Sequence, residues 1–80
     1  MVCIMYRYLI IIERGSRNYS AYVPDLPGCI ATGKTLEDVK GNMREAIAMH
    51  VQGMVEDQEP IPTPQTTADY LDILLPNPAA

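Results

Sequence analysis

The sequence predicts one small α+β domain in which three strands are followed by a helix and then by a fourth strand. Three observations lead to this fold class. The chain has 80 residues with a hydrophobic fraction of 48%, which is enough for one core and no more. Its first 32 residues hold alternating β-branched and aromatic segments, and residues 36–55 repeat apolar side chains at helical spacing.

The first strand is predicted at about residues 4–14, where nearly every side chain is aliphatic, aromatic or β-branched. Large apolar groups fall on both of its faces, so a place in the middle of a sheet is expected. Residues 15–18 have the composition of a hairpin turn, and the second strand follows at residues 19–24. Pro24 ends that strand because it has no backbone N–H to donate.

The third strand is predicted at residues 29–32, after a stiff loop that contains two prolines and a glycine. Thr35 then has the character of a helix N-cap, and acidic residues follow it in the first turn. The helix is predicted at about residues 36–55. Its apolar stripe consists of Leu36, Val39, Met43, Ile47, His50 and Met54.

Residues 58–65 hold three prolines and are expected to be an extended connection, and residues 70–75 are expected to form the last strand. A right-handed crossover through the helix then gives the sheet order 3-2-1-4, with the helix on one face. The other face would be uncovered while Met5, Leu9 and Ile11 point to it. An uncovered apolar face predicts a homodimer or a larger assembly.

The net charge of −4 is uneven, because residues 41–80 carry six acidic side chains and one basic side chain. This distribution argues against nucleic acid as a partner and favours a basic protein. The apolar start of the chain is too short to span a membrane and lacks the features of a signal peptide. A cytoplasmic location is therefore expected, with Cys3 and Cys29 as reduced, half-buried thiols in strands.

Catalysis is not predicted. Glu13 and Asp25 could approach each other at one end of the sheet, but a metal-dependent nuclease needs a third acid there. His50 lies in the apolar stripe and is expected to be a partly buried core residue. Cys3, Cys29 and His50 fit no zinc pattern, and no phosphate-binding loop is present, so no metal or cofactor is expected.

The loop from Pro24 to Gly28 is unusual because it is both rigid and partly apolar. It is either only a turn or a preorganised contact for a partner, and the sequence favours neither. If it binds a partner, the candidate contact residues are Tyr22, Asp25, Leu26, Pro27 and Gly28.

Three segments resemble one known family. Residues 19–29 (YSAYVPDLPGC), 32–39 (TGKTLEDV) and 42–47 (NMREAI) are similar, in order and spacing, to the HicB antitoxins. The resemblance implies a β-β-β-α-β domain similar to a pared-down ribonuclease H fold. It also implies a non-catalytic function, the inhibition of a HicA-type toxin that cleaves messenger RNA.

Many HicB proteins also carry a C-terminal DNA-binding domain, and the sequence up to Ala80 holds no such segment. Operator DNA is therefore not an expected partner. The alternative to a short antitoxin is a solitary homo-oligomeric binding module that has no toxin.

Overall fold

A three-stranded antiparallel sheet and one helix form the folded body of the chain. The structure, a computed structural model, describes residues 2–78. The strands are β1 (Ile11–Arg14), β2 (Tyr19–Tyr22) and β3 (Ile30–Gly33), and the helix α1 is Leu36–Glu56. The strands lie in the order β1-β2-β3, and both neighbouring pairs are antiparallel. The predicted α+β class is confirmed, as are its three successive strands and its helix.

The predicted fourth strand is wrong, and with it the four-strand order 3-2-1-4. Residues 70–75 form no strand, so nothing among residues 2–78 pairs with the outer edge of β1. The first strand is also shorter than predicted, because residues 4–10 have no ladder partner. Its neighbour β2 ends at Tyr22, and the chain turns away at Pro24, which cannot donate a ladder hydrogen bond.

The core lies between the sheet and the helix. The helix packs over β3 and β2. The core also draws on the loop between β2 and β3, which backbone hydrogen bonds fold into a compact turn: Val23 N–H donates to Cys29 O over 3.2 Å, and Leu26 N–H to Val23 O over 3.1 Å. The six buried residues are Ala21, Val23, Leu26, Cys29, Val39 and Met43.

The helix begins as the sequence predicts. The Oγ1 atom of Thr35 accepts a hydrogen bond of 3.0 Å from the backbone N–H of Asp38, which satisfies one of the free donors of the first turn. Asn42 ties the helix to the sheet, because its Nδ2 donates to Thr32 O over 2.7 Å. The helix ends at Glu56. Just beyond it, Gln58 has a φ of 56°, in the left-handed region, and its backbone N–H donates to Val55 O over 3.1 Å.

The two cysteines and the histidine have different surroundings. Neither Cys3 nor Cys29 forms a disulfide. Cys29 is buried just before β3, and burial raises the pKa of its thiol. Cys3 is exposed, and neither cysteine lies in a strand, so the expectation of half-buried strand thiols is wrong for both. His50 is partly buried on the helix, as expected.

Within residues 2–78, the one helix is not apolar enough over its length to cross a membrane.

Candidate protein-binding site

The sheet face opposite the helix carries an exposed apolar row. Ile11 pairs with Tyr22 across the first two strands, and Tyr22 pairs with Ile30 across the next two. Since neighbouring side chains along a strand point to opposite faces, these three share the face that the helix leaves uncovered. Tyr22 is 41% exposed and Ile30 is 69% exposed. We call Ile11, Tyr22 and Ile30 the open-face row.

The residues that the sequence suggests for self-association lie at the β1 side of this face. Ile11 belongs to the open-face row and is partly buried, as is Leu9 just before β1. Met5 is 93% exposed in the segment that leads into β1.

The structure separates the five residues that the sequence suggests for partner contact. Tyr22 lies in the open-face row, whereas Leu26 is fully buried in the core. Pro27 and Gly28 are exposed at the turn, and Gly28 has a φ of +84°, which a residue with a Cβ rarely adopts. Asp25 accepts hydrogen bonds from residues 65–66 of the same chain.

The carboxylate of Asp25 holds the Pro-rich connection against the domain. Its Oδ2 accepts hydrogen bonds of 3.1 Å from the backbone N–H groups of Gln65 and Thr66, and its Oδ1 accepts one of 2.8 Å from Thr66 Oγ1. The Thr66 hydroxyl and then the backbone donors stabilise the charged form, which lowers the pKa of Asp25 below its ordinary value. A second tie lies close by, where the Tyr8 hydroxyl donates to Pro62 O over 2.6 Å.

We expect the attachment of residues 65–66 to depend on pH in the direction that this lowered pKa requires. A group with a lowered pKa stabilises the attached state above its ordinary pKa, and that contribution is lost as the pH falls through the lowered value. The amide resonances of Gln65 and Thr66 should therefore titrate in NMR spectra with a midpoint below the ordinary pKa of aspartate. The same resonances should not show this step in Asp25→Asn, and a wild-type midpoint at or above the ordinary value would contradict the assignment.

A shallow groove lies between the end of the loop and the helix, with a volume of about 360 Å³. Ile30 and Met49 are its most exposed apolar members, and Met49 is 76% exposed. No sequence pattern brings these two residues together, but Met49 lies off the apolar stripe of the helix and is therefore free to face solvent. We call this the β3 groove, lined by Gly28, Cys29, Ile30, Ala46, Met49 and His50.

Acidic side chains flank the β3 groove along one side of the helix. Positions three and four residues apart lie on one side of a helix, and one such series contains Met49 of the groove and Asn42, which bonds to β3. The series is Asp38, Asn42, Glu45, Met49, Gln52 and Glu56. We call it the acidic flank.

The opposite side of the helix, towards β1, carries Lys40 and Arg44 beside Ile10 and Ile47. Both basic side chains of α1 therefore lie away from the acidic flank and the exposed apolar groove, although Glu37 shares their side of the helix. This arrangement suits a partner that is basic and offers an apolar side chain.

The charged side chains of the described residues are spread over the surface of the domain. No group of three or more His, Cys, Asp or Glu side chains within the described part of the chain is placed to hold a metal ion. The carboxylate oxygens of Asp25, whose pKa is lowered, are already hydrogen-bonded within the chain. The fold and the site therefore define a small α+β domain with an acidic, partly apolar groove beside its helix.

Comparison with known proteins gives the family. A family model described as "HicB_like antitoxin of bacterial toxin-antitoxin system" matches residues 8–74. The chain belongs to the HicB-like antitoxin family. This confirms the resemblance seen in the three sequence segments.

The chain is also similar to individual proteins of other organisms. An uncharacterized 14.9 kDa protein from the rep-hol intergenic region of Haemophilus phage HP1 is 40% identical over 65 residues, which cover 81% of this chain and 49% of the phage protein. The chain thus spans about half the length of that relative. A UPF0150 protein of Synechocystis is 29% identical over 72 residues, which cover 89% of this chain and 91% of the relative.

A solved structure is also similar. It belongs to the HicA3 and HicB3 toxin-antitoxin complex, with 32% sequence identity and a TM-score of 0.65. The match covers 75% of this chain and 70% of the other.

Proposed function

We propose that this protein is the antitoxin of a toxin–antitoxin pair and that it inhibits a HicA-type, messenger-RNA-cleaving toxin by binding it, without catalysis of its own. The observation that carries the proposal is the β3 groove beside the acidic flank, in a chain of the HicB-like antitoxin family. The likeness to a chain of a HicA–HicB complex supports the same class of partner. Such a pair would act in the cytoplasm, where messenger RNA is translated.

The proposed contact has an apolar centre and a charged rim. Ile30 and Met49 supply exposed apolar surface next to the Gly28 turn, and burial of such surface would provide most of the affinity. Glu45 and Glu56 lie at the rim, where exposed charges mainly speed the encounter with an oppositely charged partner. Tyr22 extends the apolar surface from the groove onto the open-face row.

Charge steering makes salt dependence an expected property of the complex. Exposed charges are screened over about 8 Å at physiological ionic strength. The association rate should therefore fall as salt is added, while the dissociation rate, which reflects the apolar centre, should change less.

We expect self-association to use the β1 side of the sheet, away from this surface.

We test the proposal with a catalytically inactive, small basic HicA-type protein encoded next to this chain. Surface plasmon resonance should detect binding to the wild type and a loss of about tenfold in affinity in Glu45→Lys, because the substitution reverses a rim charge. The matched control is Glu59→Lys, which makes the same change in net charge in the connection after the helix.

Equal losses in the two variants would show that only net charge matters and would contradict the site. The absence of any binding by the wild type would contradict the antitoxin function. In that case the solitary homo-oligomeric module would be the remaining function for the fold.

A further inference from the structure

Residues 70–75 form an apolar segment that the rest of the chain does not cover. We call it the tail segment. Tyr70 is 95% exposed and Leu74 is 99% exposed, which is close to the exposure of an unfolded chain. Residues 71–75 hydrogen-bond to no other described residue. Its other large apolar side chains are Leu71, Ile73 and Leu75, at exposures between 71% and 83%.

The outer edge of β1 and the residues before it are also exposed and lack a strand partner. Ile4 and Met5 are 78% and 93% exposed, and the backbone of residues 4–10 has no ladder partner. An unpaired sheet edge presents free N–H and C=O groups that another strand can use. The chain thus contains both an unpaired strand-like segment and an unpaired edge of similar length.

The connection runs beside residues 7–10 as far as residue 68, and the tail segment that follows is left exposed. The bonds from Asp25 to Thr66 and from Tyr8 to Pro62 hold the chain beside the domain as far as Thr66. Beyond that point a groove of about 630 Å³ lies between residues 7–10 and 66–68. The radius of gyration is 16.6 Å and the longest dimension is 62 Å, whereas a compact chain of this length has a radius of about 12 Å.

We propose that the tail segment of one copy pairs with the free β1 edge, residues 4–14, of a second copy, and that the second copy returns its own tail segment in the same way. The reciprocal exchange gives a closed two-fold dimer in which both contacts are identical. Backbone hydrogen bonds would supply the pairing, as in strand addition to a sheet edge, and the alternating apolar side chains would cover exposed surface around Ile4 and Met5. The inference deepens the proposed self-association and does not require the toxin.

The family match supports the tail segment as part of the domain, since it continues to residue 74. Hydrogen bonds hold the connection at Pro62 and Thr66, and only residues 67–69 separate Thr66 from the tail segment. The tail segment is nevertheless left exposed by its own chain, so we assign its pairing partner to a second copy.

The mass of the intact chain without toxin gives the first test. Light scattering at tens of micromolar should give twice the monomer mass of 8.9 kDa. Ile73→Pro, which removes a backbone donor from the exposed tail segment, should give the monomer mass and keep the helical circular dichroism signal of α1. Ile73→Val keeps the donor and the strand preference and should stay dimeric. A monomeric wild type, or a dimeric Ile73→Pro, would overturn the exchange.

The second test separates exchange from folding of the tail segment onto its own chain. Dimers assembled from equal amounts of ¹³C-labelled and unlabelled chains should show isotope-filtered NOEs between residues 70–75 of one chain and residues 4–14 of the other. NOEs confined to one chain would overturn the proposal. The toxin-site variant Glu45→Lys should remain dimeric, so a failure of the exchange and a failure of the antitoxin function give different results.

Discussion

Leu26→Ala is expected to lower the free energy of unfolding by about 2–5 kcal/mol, the usual cost of removing a large aliphatic side chain from a core. Leu26 has no exposed surface, and it packs between the sheet and the helix although it lies in a loop. A small domain has a total stability of about 5–15 kcal/mol, and 80 residues place this one towards the lower end. The variant should therefore be partly unfolded at 37 °C.

Urea unfolding followed by circular dichroism measures this difference. Both the test variant and its control are best made in the Ile73→Pro background, where unfolding is expected to be free of any effect of association. Leu74→Ala is the matched control, because it removes the same atoms from a side chain that is 99% exposed, and it should change the stability by less than about 0.5 kcal/mol. Equal costs for the two variants would show that Leu26 is not a core residue.

The Leu26 result also bears on the two interpretations of the loop from Pro24 to Gly28. A contact residue costs affinity and leaves stability unchanged, whereas a core residue costs stability. The structure gives the loop both parts: Leu26 faces the core, Asp25 anchors the connection, and Pro27 and Gly28 are exposed. Leu26 is therefore a core residue and Asp25 a residue that anchors the connection, whereas contact with a partner stays a prediction for Pro27 and Gly28.

The helix is the element that the sequence predicts best. Its start depends on local chemistry, the hydroxyl of Thr35 and the N–H of Asp38, which lie three residues apart in the sequence. Its buried stripe depends on spacing within one segment, and Val39 and Met43 of that stripe are indeed buried. The predicted span of 36–55 differs from the observed end by one residue.

The strands are harder to predict because a strand exists only with a partner. Residues 4–10 and 70–75 have strong strand composition, yet neither is a strand in the single chain. Sequence composition reports the preference of a segment, and it does not report whether a neighbour is within reach. The hydrogen bonds between Asp25 and residues 65–66 join positions about forty residues apart, so no local sequence pattern predicts them.

The β3 groove and the acidic flank are also only partly predictable from the sequence. The acidic second half of the sequence predicts a basic partner, and the spacing of the acids on α1 is visible in the sequence. The groove itself is not, because it forms only when β3 brings Ile30 next to Met49 and His50. Ile30 has a β-branched apolar side chain of the kind that is often buried in strands. It is exposed because it lies in β3, at the edge of the sheet, on a face that no described element covers.

Gly33→Ala is the second substitution for which we expect a large loss of stability. A Cβ at Gly33 would lie 2.4 Å from the backbone N of Val39 and 2.8 Å from its Cα. Backbone atoms of a helix cannot move aside as a side chain tip can, so α1 would have to shift away from β3. Overpacking of this kind costs about 1–3 kcal/mol, and a rigid neighbour favours the upper part of that range.

Gly41→Ala is the matched control, because it makes the same chemical change inside the helix, where nothing beyond the adjacent helix backbone lies within 4 Å of the new methyl group. Alanine is favoured over glycine in a helix by about 0.5–1 kcal/mol, so this variant should be more stable than the wild type. The two alanine variants should thus move the urea midpoint in opposite directions with the same slope. If Gly33→Ala is as stable as the wild type, then the helix does not approach β3 as closely as this fold requires, and the β3 groove, which the same packing forms, would have a different shape.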